Sequence, residues 1–170
     1  MSLINGLPAH VLLVHVVVVL IPLTALALVT AALWPRAARR LGSLLPLLSL
    51  AALISVPLTT QAGEWLERHV DNNALVRRHT ELGDGLLPWA LGVFVLAVVV
   101  WWTAGRAVAE PRQGGAAGWA PLPVRIVVGV LSLAVALGAV VDVYRIGDSG
   151  AKAAWHDAYS QAATGPKGAS

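Results

Sequence analysis

Residues 9–34 read AHVLLVHVVVVLIPLTALALVTAALW, a stretch with no charged side chain when histidine is counted neutral. A bilayer core of roughly 30 Å takes about 20 apolar residues of helix to cross, so this stretch is long enough. No Lys, Arg, Asp or Glu occurs anywhere from Met1 to Pro35. The same reading recurs twice, from Leu41 to Gly63 and from Gly85 to Gly105, both uncharged. A fourth apolar run, 126–141, is flanked closely by Arg125 and Asp142. Snorkelling of Arg125 at one surface, with Asp142 near the other, completes that crossing. The chain is therefore expected to be all-α, a polytopic membrane protein with a four-helix transmembrane bundle running up-down-up-down. The expected spans are 9–34, 41–62, 85–105 and 125–143 within one domain, 1–160, followed by a disordered tail at 161–170.

Composition agrees with a lipid environment. Of 170 residues, 57% are hydrophobic and 12% charged, against about 25% charged in a soluble domain. The N-terminal run has no basic residue ahead of it and exceeds a secretory signal core of about 7–15 residues, so it is expected to be retained as a helix. Cysteine is absent, which excludes disulfides, thiolate metal sites and covalent c-type haem attachment. The net charge of +3 is not arranged as a basic stripe with interleaved aromatics, so nucleic acid is not an expected partner; the lipid bilayer is.

Punctuation along the chain fits this layout. Pro22, Pro46, Pro57 and Pro88 fall inside or near the spans, where neighbouring groups resatisfy the freed carbonyls. The link 35–40 is short and basic, forcing an antiparallel pair. The second helix is expected to run past the bilayer into water through Glu64 and Glu67, and a helix is expected to start near Arg77 and lead into the third span. Beyond the fourth span, 144–159 is a candidate interfacial helix. Trp34, Trp101, Trp102 and Trp119 mark one boundary, Trp65 and Trp155 the other, as interfacial aromatics do.

Five histidines, His10, His15, His69, His79 and His156, all fall at one membrane face of such a bundle. His10 and His15 are five positions apart, about 140° of rotation and roughly 7.5 Å of rise, so a regular helix does not turn both to one ion. His15 lies between two valines, and an ionisable group within a span is a functional candidate by default. Two chemistries suit the layout. One is a b-type haem held by histidines of different helices. The other is a histidine-bound Zn, Cu or Fe, with carboxylates as ligands or as partners that orient the imidazoles. His15 and His79 are the first ligand candidates, His10 and His69 the next; Glu64, Glu81 and Asp84 are the candidate orienting groups, and Gly63, Gly83 and Gly85 leave room for a bulky planar ligand. The competing reading is a non-catalytic scaffold or partner subunit, with histidines that only hydrogen-bond water and headgroups. A proton or solute pathway through His15 and Asp142 is a third. No P-loop, HExxH, nucleophile elbow or dinucleotide fingerprint is present, so electron transfer fits better than substrate turnover.

The histidine face carries six basic residues and the opposite face also six. The tail before the first span has none, while the first link has Arg36, Arg39 and Arg40. Because the first helix often sets topology, the histidine face and both termini are expected outside the cytoplasm.

The segment Ile4-Asn5-Gly6-Leu7-Pro8-Ala9-His10 with Val14-His15, the segment Arg78-His79-Thr80-Glu81-Leu82-Gly83-Asp84, and the later Arg145-Ile146-Gly147-Asp148-Ser149-Gly150-Ala151 resemble the bacterial membrane proteins grouped as domain of unknown function 2231. The resemblance covers nearly the whole chain. It implies a four-helix, multi-pass protein of the bacterial plasma membrane, common in actinobacteria. Many relatives have His where this chain has Asp148. Some relatives are joined to a Rieske iron–sulfur domain, which implies electron-transfer surroundings; here such a Rieske partner would be another chain.

Overall fold

The computed structural model describes residues 3–4, 7–68, 74–109 and 121–163, with side chains for 9–68, 74–105 and 121–155. A two-residue antiparallel ladder, β1 (Leu3–Ile4) with β2 (Leu7–Pro8), pairs Leu3 with Pro8 and Ile4 with Leu7. Among the described residues six helices follow: α1 (Ala9–Leu33), α2 (Pro35–Leu41), α3 (Leu44–Glu67), α4 (Ala74–Asp84), α5 (Leu86–Ala109) and α6 (Leu122–Ala163).

Local chemistry sets the breaks. Trp34 precedes a proline, which disfavours the helical basin, and it sits at φ −116°, ψ 108°, ending α1. The short basic link is itself a helix, α2, with Pro35 at its start, where a missing N–H costs nothing. Gly42 ends α2 at φ 48°, its N–H donating to the Ala38 carbonyl at 3.1 Å. Only glycine adopts that backbone freely. The helix near Arg77 starts at Ala74 and stops at Gly85, whose N–H turns back to the Leu82 carbonyl at 3.1 Å. The fourth span does not give way to a separate interfacial helix. α6 is one helix of 42 residues, about 63 Å at 1.5 Å per residue, because nothing past Pro123 interrupts it and Asp148 and Lys152 pair one turn apart at 2.6 Å. It includes 161–163 of the expected tail; the remainder of that tail, 164–170, lies outside the described residues.

Among the described residues, four helical stretches are long and apolar enough to cross a membrane: Ala9–Leu33, Leu44–Glu67, Ala74–Gly105 and Leu122–Trp155. α1 packs against α3 and α6, and α5 closes the square against the same two helices, with α4 laid on α6. α4 buries no residue and exposes Arg77, Arg78, Glu81 and Asp84, so it lies beyond the membrane end of α5, which makes the third crossing. α3 likewise runs past the apolar zone to Glu67.

The bundle interior is built from small and branched residues. Ala31, Ala52, Ala90, Ala97 and Ala139 are buried beside Ile21, Leu28 and Val93, while Leu26, Val19, Val130 and Leu137 face outward. Lipid is as apolar as a leucine core, so close backbone approach rather than greasy burial holds such helices together. Three buried hydroxyls serve their own helices: Thr24 donates to the Leu20 carbonyl at 2.6 Å, Ser55 to Ala52 at 2.7 Å and Thr59 to Ser55 at 2.7 Å. Between α5 and α6 the Trp89 ring covers Gly138 and fills the place a Cβ there would take.

Candidate functional site

The three described imidazoles share one local rule. Each places Nδ1 against a backbone carbonyl: His10 against Thr59 at 3.0 Å, His15 against Val11 at 2.6 Å and His79 against Ile146 at 3.1 Å. A carbonyl only accepts, so in each ring Nδ1 carries the proton and donates. In the neutral ring Nε2 then keeps its lone pair, the arrangement that orients metal-binding histidines.

Helix packing brings two of these rings together. His10, on α1, reaches across to α3 and lies over Gly63, where an added Cβ would stand 3.1 Å from its Cε1 and Nδ1. His79, on α4, reaches across to α6 and lies over Gly150, where an added Cβ would stand 2.9 Å from its Cε1. Ser149 Oγ is also 3.0 Å from His79 Nδ1 while donating its own proton to the Ile146 carbonyl at 2.8 Å. The two rings meet edge to face, with centroids 6.1 Å apart and planes at 81°. Four helices therefore converge on one imidazole pair.

Electrostatics favour a neutral His79 ring. His79, outside the membrane zone on α4, has its pKa held below the usual imidazole value, first by burial and then by the adjacent His10. The Ile146 carbonyl works in the opposite direction.

The other candidates are placed differently. The ring beside His79 is that of His10; His15 stands exposed on α1, turned back on its own helix. His69 lies outside the described residues, and the side chain of His156, in α6, is likewise undescribed. Glu64, Glu81 and Asp84 are exposed. Glu81 faces Arg77 at 3.8 Å, and the groups that orient the two imidazoles are carbonyls and Ser149. The space at Gly63 is filled by His10 itself; Gly83 has no atom within 4 Å of an added Cβ, and Gly85 has the Leu82 carbonyl and Asp142 Oδ2. Asp142 Oδ2 is buried and without a hydrogen-bond partner. Among the described residues no group of three or more His, Asp or Glu is arranged to hold a metal ion, so the donor set in view is two imidazoles.

Sequence reasoning did not find Thr59, Ile146, Ser149 or Gly150. Backbone carbonyls leave no residue-type signal. Ser149-Gly150 did stand inside the third quoted motif, which Arg145 and Asp148 dominated.

No curated protein and no solved structure matches the chain. The family described as predicted membrane protein (DUF2231) matches residues 6–163, and with four helices fit to span a bilayer over that same range, this chain belongs to it.

Proposed function

We propose that His10 and His79 would hold a redox metal through Nε2, as a b-type haem or a copper ion, and that this membrane protein serves as an electron-transfer component rather than an enzyme. The observation that carries this reading is the shared hydrogen bonding of the two adjacent rings: each Nδ1 is committed to a carbonyl of a neighbouring helix, which leaves Nε2 of each as the nitrogen that can ligate. The two rings lie close, with centroids 6.1 Å apart. A donor set of two would suit a haem or soft copper better than zinc, which takes four ligands in structural sites. When bound, the metal supplies one-electron chemistry; the chain supplies the ligands, their tautomer and their rigidity.

The site is proposed to face the extracytoplasmic side, because Arg36, Arg39 and Arg40 follow the first span and no basic residue precedes it. A Rieske protein is one candidate for its electron partner.

The test is an optical spectrum of the detergent-purified protein made with ample haem and metals, oxidised and then dithionite-reduced, with metal analysis on the same sample. A Soret band or stoichiometric copper is expected, lost in His10→Ala and in His79→Ala and kept in His15→Ala. Neither colour nor metal in the parent protein sinks the proposal. That result would favour a second reading, a membrane scaffold or partner subunit, for which the seating of both rings on Gly63 and Gly150 is the supporting observation: such rings can serve as staples between helices.

A further inference from the structure

The end of the bundle opposite the imidazole pair is strongly basic. No Asp or Glu occurs before Glu64, and the links at that end hold Arg36, Arg39, Arg40, Arg106 and Arg112 against one acid, Glu110. Arg125, in the first turn of α6, belongs to the same end. Four of these arginines have described side chains: Arg36, Arg39, Arg40 and Arg125.

α2 turns three of them to one side. At about 100° per residue, Arg36, Arg39 and Arg40 fall within an arc of about 100°. Ala38 is buried on the opposite side, where Leu41 packs against the core. All three arginines are exposed. A last-turn position suits Arg39 and Arg40 by the helix dipole. It does not account for Arg36, and like charges three and four residues apart on a helix repel each other. Among the described residues no carboxylate pairs with any of the three; the ion pairs lie at the histidine end.

Arg125 adds a donor in need of an acceptor. Its Nε is shielded from water and has no hydrogen-bond partner among the described residues. One turn along α6, a Cβ on Gly129 would stand 3.4 Å from Leu33 Cδ2 at the end of α1. Arg125 therefore lies about 6 Å further out, level with Trp34 and the start of α2.

The neighbours fix the depth of this arginine rim. Trp34 beside α2, and Trp101 and Trp102 near the end of α5, are exposed, as aromatics at headgroup level are. Just inside them Leu33, Leu44 and Leu47 are exposed as well. A ligand matching this surface carries an anionic head above apolar chains. Guanidinium forks suit phosphate oxygens, and basic clusters beside a membrane helix attract anionic lipid. A free phosphate would match only the arginines.

We propose that the arginine rim formed by α2 and Arg125 binds an anionic phospholipid, its phosphate on the arginines and its acyl chains on Leu33, Leu44 and Leu47. The site shares no residue with His10 and His79 and stands independently of the metal reading.

The test titrates the full chain in detergent with dioctanoyl phosphatidylglycerol and follows the thermal unfolding midpoint. Dioctanoyl phosphatidylcholine and inorganic phosphate are the controls. A saturable rise is expected with phosphatidylglycerol, at a concentration at least fivefold below any rise with either control. The double variant Arg36→Gln, Arg40→Gln changes exposed side chains only and should need at least fivefold more lipid; Arg125→Gln should do the same. The double variant Arg77→Gln, Arg78→Gln removes the same charge from the histidine end and should respond like the parent, as should His10→Ala. Equal responses to the two lipids overturn the proposal. So does an equal weakening in both double variants, which would mark net charge as the cause. A rise with inorganic phosphate equal to that with phosphatidylglycerol also overturns it and would mark a free-anion site.

Discussion

His79 rests directly on Gly150: a methyl group at that glycine would come within 2.9 Å of the imidazole Cε1 and 3.2 Å of Nδ1. Gly147, one turn earlier on the same helix, has nothing within 4 Å. The two positions make a matched pair. Gly150→Ala should force His79 off the Ile146 carbonyl and lower stability by about 1–3 kcal/mol, the usual cost of overpacking. Gly147→Ala should be neutral or stabilising by up to about 1 kcal/mol, because alanine is the better helix former. Thermal unfolding in detergent, followed by circular dichroism, separates them; equal midpoints would mean that the seat under His79 carries no energy.

A closer contact joins α5 to α6. The Trp89 ring lies over Gly138, with Cζ3, Cη2 and Cε3 all within 2.6 Å of where a Cβ would be. Gly138→Ala should cost about 1–3 kcal/mol. Adding Trp89→Leu should return part of the loss, since residues in direct contact are not additive. A double variant as unstable as the sum of the singles would show that the ring and the glycine do not act on each other.

Acid should loosen the imidazole junction. Burial, and then the neighbouring His10, hold the pKa of His79 below its ordinary value of 6.5, against the pull of the Ile146 carbonyl. The folded state thus binds the proton less readily than the unfolded chain does. The contribution to stability is full above about pH 6.5 and is lost as pH falls toward and through the lowered value. His10 from α1 is the titratable ring in contact, while α6 presents the Ile146 carbonyl and Ser149. Between pH 7.5 and 5 the unfolding midpoint should drop, and in His79→Gln it should drop less. Parallel pH profiles for parent and variant would remove His79 as the source.

Three crossings are legible because each is an uncharged run of about the length a bilayer demands; the fourth run, 126–141, is shorter and needs its flanking Arg125 and Asp142 to reach the two surfaces. The helix breaks were legible where proline or glycine forces them, as at Trp34-Pro35. What was not legible is which imidazoles meet. His10 and His15 look alike in sequence, both near the start of an apolar run. Their fates differ because His10 lands opposite Gly63 of α3, while His15, about 140° round the helix, turns to its own Val11 carbonyl. That choice is made by helix rotation in the bundle, and no local pattern encodes it. The carboxylates Glu64, Glu81 and Asp84 drew attention as orienting groups by charge and proximity in sequence. Carbonyls fill that role because the packed backbone presents them at the right place without the cost of bringing a charge out of water.

The proposed orientation has a clean probe, since the chain contains no cysteine and any introduced thiol is unique. Ala37 lies in α2, at the end of the bundle that carries Arg36, Arg39 and Arg40; Lys152 lies on the exposed extension of α6, at the histidine end. Neither substitution removes an arginine of the first link, so the topological signal stays intact. Losing the Lys152–Asp148 pair should change stability by only about 0.3–0.5 kcal/mol, as expected for an exposed i,i+4 contact. With a membrane-impermeant maleimide on intact bacterial spheroplasts, Lys152→Cys should label and Ala37→Cys should stay dark until the membrane is opened. The reverse pattern would place the imidazole pair on the cytoplasmic side. Any electron partner would then have to be cytoplasmic as well.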